Sequence, residues 1–342
     1  MKNDKENFLI SIDKSNEIKN DYISKSSTKS SLSIGTLKKK EINGIILSSL
    51  AYFCVAFGIF YTKLVQKTYP NDFHSIQFLF LRSFCILLLS IITSYITKNN
   101  ILNFTEIKKI KFWFFIRTNF NFLGVTSMTI CLWYLRASTA QIITTLSPII
   151  IFILSYFILN EKFYIRYFYG CIICLIGSFI IILNEKNSKN IKNEKSNLND
   201  ILIGIFFCCI NVISTSLISV ANKKLTDNKI PISTQGFYVG LTTCFYSSIF
   251  TLFYGNICLK IGYLIMCMIH GIFFYGFLIL FNSALKLCQL SKLALTSYLQ
   301  IVYVFILGFF FLKEEIFFTD IIGTFFIVSF MIYNTLNPLP VK

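Results

Sequence analysis

The segments LSPIIIFILSYFILNE (residues 146–161) and LQIVYVFILGFFFLKE (residues 299–314) lie 153 residues apart and follow one pattern. Each is an apolar helix ending in aromatic residues and Leu, with a glutamate two positions later. At this offset Ser138, Leu146, Phe152, Ile153, Leu154, Phe157, Leu159, Glu161 and Gly170 recur as Ser291, Leu299, Phe305, Ile306, Leu307, Phe310, Leu312, Glu314 and Gly323. Many secondary transporters are built from duplicated helix sets, with the substrate site between the halves. The duplication therefore predicts a two-repeat membrane protein and favours a carrier.

The composition indicates that lipid surrounds most of the chain. Of the 342 residues, 55% are apolar and only 14% are charged, whereas soluble domains carry about 25% charged residues. The net charge of +16 is spread over loops and the first 41 residues, which argues against a nucleic-acid-binding protein. Most of the eleven cysteines lie inside apolar runs. We expect them, including the pair Cys171 and Cys174, to act as small packed side chains instead of disulfide, metal or redox partners.

Ten apolar runs are long enough for a helix to cross the hydrocarbon core, which takes about 20 residues. The first set is 42–61, 76–96, 112–135, 141–159 and 167–183, and the second set is 201–221, 235–254, 261–285, 293–312 and 321–336. Because each set holds an odd number of spans, the second set is inserted upside down relative to the first. The prediction is an all-α polytopic membrane protein with ten transmembrane helices in two inverted five-helix repeats.

The segments outside these runs set the domain boundaries. Residues 1–41 carry nine Lys against six acidic residues and few large apolar ones, so we expect a disordered tail. The first repeat then covers 42–183, a polar linker covers 184–200, and the second repeat covers 201–336. The tail lacks the apolar core and cleavage site of a signal peptide, so the first helix is expected to serve as an uncleaved anchor.

The distribution of positive charge predicts the orientation. With the N-terminus in the cytosol, the cytosolic side holds 21 Lys and Arg residues and the other side holds nine. Lys and Arg concentrate in cytosolic loops, so both termini are predicted to be cytosolic. The membrane itself, plasma or internal organelle, stays open.

The stretch YLRASTAQIITTLSPIIIFILSYFILNE (residues 134–161) resembles the fourth-helix signature of the drug/metabolite transporter superfamily, in its EamA-type branch. Residues 283–315 resemble the equivalent ninth helix, and both stretches carry the Leu-x-Glu element that ends in Glu161 or Glu314. This resemblance covers everything after the tail. It implies ten helices around a central cavity lined by the third, fourth, eighth and ninth helices with the first and sixth, and transport of small organic solutes.

Polar side chains within these helices are the candidate substrate contacts. They are Asn121, Thr144, Thr145, Asn211, Thr215, Asn282, Lys286, Tyr298 and Gln300. Pro148 is expected to kink the fourth span and act as a hinge, whereas the ninth span has no proline at that place and is expected to be straighter. The polar stripe of the sixth helix, which includes Asn211 and Thr215, either lines a wet cavity or joins helices, and the sequence leaves both open.

Charged residues are scarce inside the predicted spans. No Asp or Glu lies within any of them, and the interior ionisable groups are Arg82, Arg117 and His270. Because buried charge in a membrane is costly and usually functional, this pattern favours neutral or anionic solutes over cations. Arg117 lies about 7 Å along the helix from its boundary and is expected to extend to the lipid headgroups. For Arg82 a structural and a functional role are both open, and His270 is expected to bridge helices.

Glu161 and Glu314 each lie near the start of the helix that follows. A carboxylate there stabilises the helix N-terminus by about 0.3–1 kcal/mol, so we expect both glutamates to be structural and not substrate ligands.

No catalytic motif is present: there is no Gly-rich phosphate loop and no nucleophile elbow, and the whole chain has two His. We therefore predict a protein that is not an enzyme, with no catalytic residues, metal site or cofactor. The predicted function is a secondary transporter that moves a metabolite, amino acid or drug-like compound across the bilayer by alternating access. The alternative is a membrane scaffold or regulatory partner that keeps the carrier fold without transport.

Overall fold

The computed structural model describes residues 39–62, 64–65, 68–69, 75–99, 110–134, 140, 143–162, 164–185, 198–254, 258–312 and 318–336. Within these ranges the secondary structure is helical, without a strand. The helices are α1 (Lys39–Thr62), α2 (Ser75–Thr97), α3 (Lys111–Tyr134), α4 (Ser147–Leu159), α5 (Ile165–Glu185), α6 (Leu198–Asp227), α7 (Ile232–Tyr254), α8 (Ile261–Leu287), α9 (Leu290–Thr296), α10 (Leu299–Leu312) and α11 (Phe318–Leu336).

The ten predicted spans all contain helix, and α9 and α10 together form the ninth span. Within the described residues, six helical stretches are long and apolar enough to cross a membrane: Lys39–Thr62, Ile76–Thr97, Ile201–Asp227, Ile232–Phe253, Ile261–Leu287 and Leu290–Phe311. The all-α membrane architecture is therefore confirmed. α1 begins at Lys39 and α6 at Leu198, so both helices extend into segments predicted as tail and linker. The rest of that tail (1–38) and most of that linker (186–197) lie outside the described residues.

Helix packing follows a two-fold pattern. α2 packs on α7 and α5 packs on α11, so each of these helices contacts its counterpart in the other repeat. The contact of α3 with α7 is matched by that of α8 with α2. The end of α4 meets the start of its counterpart α9, because Glu161 contacts the backbone of Leu290. Counterpart helices thus run in opposite directions, as inverted repeats require.

Repeated glycines bring α5 and α11 together. A Cβ atom on Gly177 would lie 2.8 Å from the carbonyl oxygen of Gly323, and one on Gly170 would overlap the ring of Phe330. Small residues let helix backbones approach closely in a membrane, where packing drives association. This packing explains why Gly170 and Gly323 occupy equivalent positions.

Two faces of the bundle can be defined from contacts. On the tail face, the start of α1, the ends of α4, α6 and α8 and the start of α9 meet. On the opposite face, the Gln77 amide at the start of α2 donates to the Cys258 carbonyl (2.7 Å) and accepts from the Cys258 N–H (2.9 Å).

One cysteine prediction is wrong. Cys131 of α3 and Cys208 of α6 form a disulfide, with their Cα atoms 5.8 Å apart. They are 77 residues apart in the chain and become neighbours only because α3 packs along α6. The other nine cysteines are not in disulfides, and Cys171 and Cys174 are buried in the core between α5, α10 and α11.

Candidate functional site

The fourth and ninth spans are interrupted at equivalent places. Thr145 and Leu146 form a turn before α4, and Ser297 and Tyr298 form a turn between α9 and α10. In both turns an N–H binds the carbonyl three residues back, as in Leu146 to Ile143 (3.1 Å) and Tyr298 to Leu295 (3.2 Å). The Tyr298 hydroxyl donates to the Thr145 carbonyl across 3.2 Å and 153 residues of sequence. Equivalent residues of the two repeats therefore meet at the two-fold axis.

The two interruptions have different causes. Pro148 lies in the first turn of α4 and not in mid-helix; there its missing N–H would have had no helical partner in any case. The ninth span, which was expected to be straighter than the fourth, is interrupted as well. The hydroxyls of Thr296 and Ser297 donate to the carbonyls of Leu293 (2.6 Å) and Ala294 (2.7 Å). Such side-chain bonds compete with the helix ladder, so an adjacent Thr-Ser pair accompanies the break without a proline.

The first and sixth spans flank these turns. Ser48 of α1 shares a hydrogen bond of 2.6 Å with Thr296, and the Tyr52 side chain of α1 lies near Ser297. Ser216 of α6 donates to the Ser147 carbonyl at 3.3 Å. We use the name central junction for five residues: Thr145, Ser147, Thr296, Ser297 and Tyr298. It is a neutral, hydroxyl-rich region where four spans from both repeats meet.

Some of the residues predicted to contact substrate lie in or beside the central junction, and the others lie elsewhere in the bundle. Thr145 and Tyr298 belong to the central junction and are buried, and Thr144 and Gln300 are their half-buried near neighbours in the chain. The remaining members of the prediction are placed elsewhere, on α3, α6 and α8: Asn121, Asn211, Thr215, Asn282 and Lys286.

On α6, Asn211 donates to the Gly124 carbonyl of α3 (2.7 Å), and Thr215 donates to the Asn211 carbonyl (3.0 Å). In this conformation the polar stripe of α6 therefore joins α6 to α3 and forms hydrogen bonds with the α6 backbone.

The other three predicted contacts lie in unlike environments. Asn121 donates to Thr243 of α7 (3.2 Å), and Asn282 accepts from Thr226 of α6 (3.4 Å). Lys286, four residues beyond Asn282, is exposed. The structure thus does not gather Asn282 and Lys286 into one polar pocket, and their contact with substrate stays a prediction.

Arg117 does not extend to the headgroups as expected. Its side chain is 2% exposed and donates from Nη1 to Asn121 at 3.4 Å. The reason is tertiary: α3 packs against both α6 and α7, which encloses the face that carries Arg117. The distance along the helix to the boundary contains no information on that packing.

Glu161 caps a helix, as expected, but the helix belongs to the other repeat. Its carboxylate accepts from the N–H groups of Leu290 (2.7 Å) and Ser291 (2.9 Å) and from the Ser291 hydroxyl. These groups open α9, whereas the prediction placed the cap on the next helix, α5. Unpaired N–H groups and the helix dipole make this end favourable for a carboxylate. Glu314 lies outside the described residues.

Further charges surround the same turn between α8 and α9. Lys292 forms a 2.7 Å ion pair with Glu41 of α1, with side chains 3% and 8% exposed. Lys223 of α6 donates to the carbonyls of Leu285 (2.7 Å) and Cys288 (3.3 Å). We use the name tail-face charge cluster for Glu41, Glu161, Lys223 and Lys292. The sequence prediction missed Glu41, which stood within the assumed tail; its position directly before the first apolar run was the available signal.

A cleft of about 310 Å³ adjoins the cluster. It is lined by Leu159, Asn160, Glu161, Lys162, Lys223, Asp227 and Gln289. Cys288 lies in the α8–α9 turn, and its Sγ contacts the Glu41 carbonyl at 3.3 Å. Burial, with the nearby Glu41 carboxylate, raises the pKa of the Cys288 thiol to about 11. Across the described ranges, no group of His, Cys, Asp and Glu is arranged to hold a metal ion.

Comparison with known proteins agrees with this architecture. A solved crystal structure matches with a TM-score of 0.68 at 14% identity, covering 88% of this chain and 97% of that one; at this identity the likeness concerns the fold alone. The uncharacterized membrane protein YMR253C of Saccharomyces cerevisiae is 28% identical over 182 residues, which are 48% of this chain. The match spans only 44% of that relative. The profile of the EamA-like transporter family matches residues 42–183 and 202–335, one match for each repeat. The chain therefore belongs to the EamA-like transporter family.

Proposed function

We propose that this protein is a secondary transporter that moves a small organic solute by alternating access, with the central junction as the solute site. The observation that carries the proposal is the hydrogen bond between Tyr298 and Thr145. It joins equivalent turns of the two repeats, and transporters built from inverted repeats bind their substrates at such an interface, where broken helices expose backbone groups. Thr144, Thr145, Tyr298 and Gln300 are the side chains that we place around the solute.

The distribution of charge supports a neutral or anionic solute. Every described carboxylate lies at a helix end or in a turn, as Glu41, Glu161 and Asp227 do. The central junction contains hydroxyls and carbonyls, which form hydrogen bonds with a solute without offering a counter-charge to a cation. A metabolite, an amino acid or a drug-like compound fits this chemistry.

The tail-face charge cluster supports alternating access. It fixes the α8–α9 turn to α1, α4 and α6, and we take the conformation with these bonds intact to be the one closed on that face. Opening requires Lys292 to leave Glu41 and the start of α9 to leave Glu161. With both termini in the cytosol, as the positive charges indicate, the closed face is cytosolic. The protein would then occupy either the plasma membrane or an internal organelle membrane.

Uptake into proteoliposomes tests the proposal. Purified protein is reconstituted, and uptake of labelled amino acids, organic amines, phosphorylated sugars and neutral metabolites is measured. Tyr298→Phe removes one hydrogen bond, worth about 0.5–1.5 kcal/mol, and should lower uptake several-fold at unchanged protein yield. Tyr303→Phe is the matched control, because Tyr303 bonds Ser49 of α1 (2.5 Å) outside the central junction.

The competing function, a scaffold without transport, makes a different prediction. It is favoured by the α6 hydroxyls, since Thr215, Ser216 and Ser219 all donate to carbonyls of their own helix. Cysteine at Ser214 or Ser219 should react with a small water-soluble thiol reagent if the stripe becomes wet during transport. No uptake of any solute, together with full protection of both cysteines, would decide for the scaffold.

A further inference from the structure

Arg82 and His270 are buried in the helix bundle, and within the described residues Arg82 and the Nδ1 atom of His270 have no hydrogen-bond partner. Arg82 of α2 is 8% exposed and His270 of α8 is 7% exposed. The guanidinium carbon of Arg82 lies 3.7 Å from the centre of the Phe274 ring. Among the residues that the structure places, none accepts a hydrogen bond from Arg82 or pairs with its charge. A guanidinium has five N–H donors, and a ring face uses none of them.

His270 lies in the same region. Its Nδ1 atom is buried and has no hydrogen-bond partner in the described part of the chain. The ring packs on Phe78 of α2 with 4.8 Å between ring centres, and its Nε2 edge faces Gly58 of α1. Arg82 follows Phe78 by four residues on α2, and Phe274 follows His270 by four residues on α8, so both ring contacts lie on the same α2–α8 contact face. The open donors of both residues therefore lie in one region between α1, α2 and α8, in the half of the bundle nearer the opposite face.

Arg117, the buried arginine of α3, provides a contrast with Arg82. Arg117 occupies the position 153 residues before His270, and its Nη1 donates to Asn121. The residue 153 positions after Asn121 is Phe274. An amide oxygen thus partners the arginine on α3, while an aromatic ring takes its place beside Arg82. Among the described residues, the α2–α8 region thus has the Phe274 ring where its counterpart has the Asn121 amide.

We propose that Arg82 and His270 form an oxyanion-binding site for a carboxylate or phosphate group. An unpaired cation inside a membrane protein is costly and is usually kept where it binds an opposite charge. Arginine binds carboxylate and phosphate through two parallel N–H bonds, and the His270 ring supplies a further donor. No carboxylate from the described spans is available for this role, so the group comes from a solute or a lipid headgroup. The solute version rests on the proposed transport function.

Thermal unfolding of the full-length purified protein tests the site. Inorganic phosphate and succinate are titrated as probes at constant ionic strength, and the unfolding midpoint is measured. The wild type should show a saturable rise. Arg82→Gln should raise the apparent Kd by about tenfold or more, as expected when a charge-assisted hydrogen bond is lost, and His270→Gln by a smaller factor. Arg117→Gln is the matched control: it removes a buried arginine from the counterpart region and should keep the wild-type Kd.

Further measurements cover misfolding and the source of the anion. If Arg82→Gln does not fold, Arg82→Lys takes its place in the test. It keeps the charge and should retain partial anion binding. Native mass spectrometry of protein taken from bilayers containing phosphatidylglycerol identifies a retained lipid. Loss of that lipid in Arg82→Gln, without an effect of soluble anions, supports the site with a lipid headgroup as its ligand.

Two results would overturn the site. One is equal stabilisation of the wild type, Arg82→Gln and His270→Gln by the probes. The other is no stabilisation by the probes together with no lipid whose retention depends on Arg82. The uptake assay separates this inference from the transport function. Uptake of a neutral solute without any anion binding removes the oxyanion site and leaves transport intact. Anion binding that depends on Arg82, without uptake of any solute, keeps the oxyanion site and removes the transport function.

Discussion

The central junction and the tail-face charge cluster both connect the two repeats, but with different chemistry. The junction uses hydroxyls and backbone carbonyls, as between Tyr298 and Thr145. The cluster uses buried charges, as between Lys292 and Glu41. Neutral hydrogen bonds contribute about 0.5–1.5 kcal/mol each, whereas an orphaned buried charge costs about 3–5 kcal/mol. Under the proposed transport mechanism, the cluster would therefore hold the closed conformation, while the central junction would exchange its weaker bonds for bonds to a solute.

The largest expected effect comes from removing one charge of the cluster. Lys292→Gln leaves Glu41 buried without its partner and should lower the free energy of unfolding by about 3–5 kcal/mol. Denaturant or thermal unfolding in detergent measures this loss. Lys286→Gln is the control, because Lys286 is an exposed lysine six residues earlier. The double variant Glu41→Gln/Lys292→Gln should recover part of the loss. Equal, small effects of Lys292→Gln and Lys286→Gln would remove the energetic distinction between the two regions.

The reactivity of the native Cys288 thiol provides a second test of the cluster, with a smaller expected effect. Only the thiolate reacts with maleimides, and the raised pKa of about 11 keeps Cys288 protonated near neutral pH. Its alkylation should therefore be slow at pH 7 and accelerate by about tenfold per pH unit up to that pKa. Glu41→Gln removes a charge that raises the pKa, so it should increase the rate at fixed pH.

The measurement is the rate of modification by a water-soluble maleimide, with Cys288→Ser giving the background from the other cysteines. A rate in Glu41→Gln equal to that of the wild type would show that the Glu41 charge does not raise the pKa of the Cys288 thiol.

The two regions also differ in how far the sequence predicts them. Hydropathy and the 153-residue repeat predict the ten helices, because span length and apolar composition are local properties. The partners within the cluster are tertiary: Glu161 caps a helix that begins at Leu290, and only the fold brings the two together. The disulfide between Cys131 and Cys208 is of the same kind.

The central junction was predicted in part. Thr145 was identified because it lies in a group of polar residues beside Pro148, and Tyr298 because it lies 153 residues later, in the symmetry-related segment. The break at Ser297 was missed because Thr-Ser pairs are common in unbroken helices and signal an interruption weakly. Ser48 was missed as well, since one serine in the first span gives no indication that it faces Thr296.

The smallest expected effect on stability concerns Pro148. It lies in the first turn of α4, where an alanine fits the same backbone and adds an N–H, so Pro148→Ala should change the free energy of unfolding by about 1 kcal/mol or less. Its effect on transport should be larger. The added N–H allows the helix to extend backwards through Leu146, which would straighten the fourth span and shift Thr145 away from Tyr298. Uptake rate should then change several-fold at unchanged protein yield. Unchanged kinetics would remove the hinge at Pro148. The flexibility of the central junction would then lie in the Thr296–Ser297 turn, where the bonds from the two hydroxyls to backbone carbonyls can break and re-form.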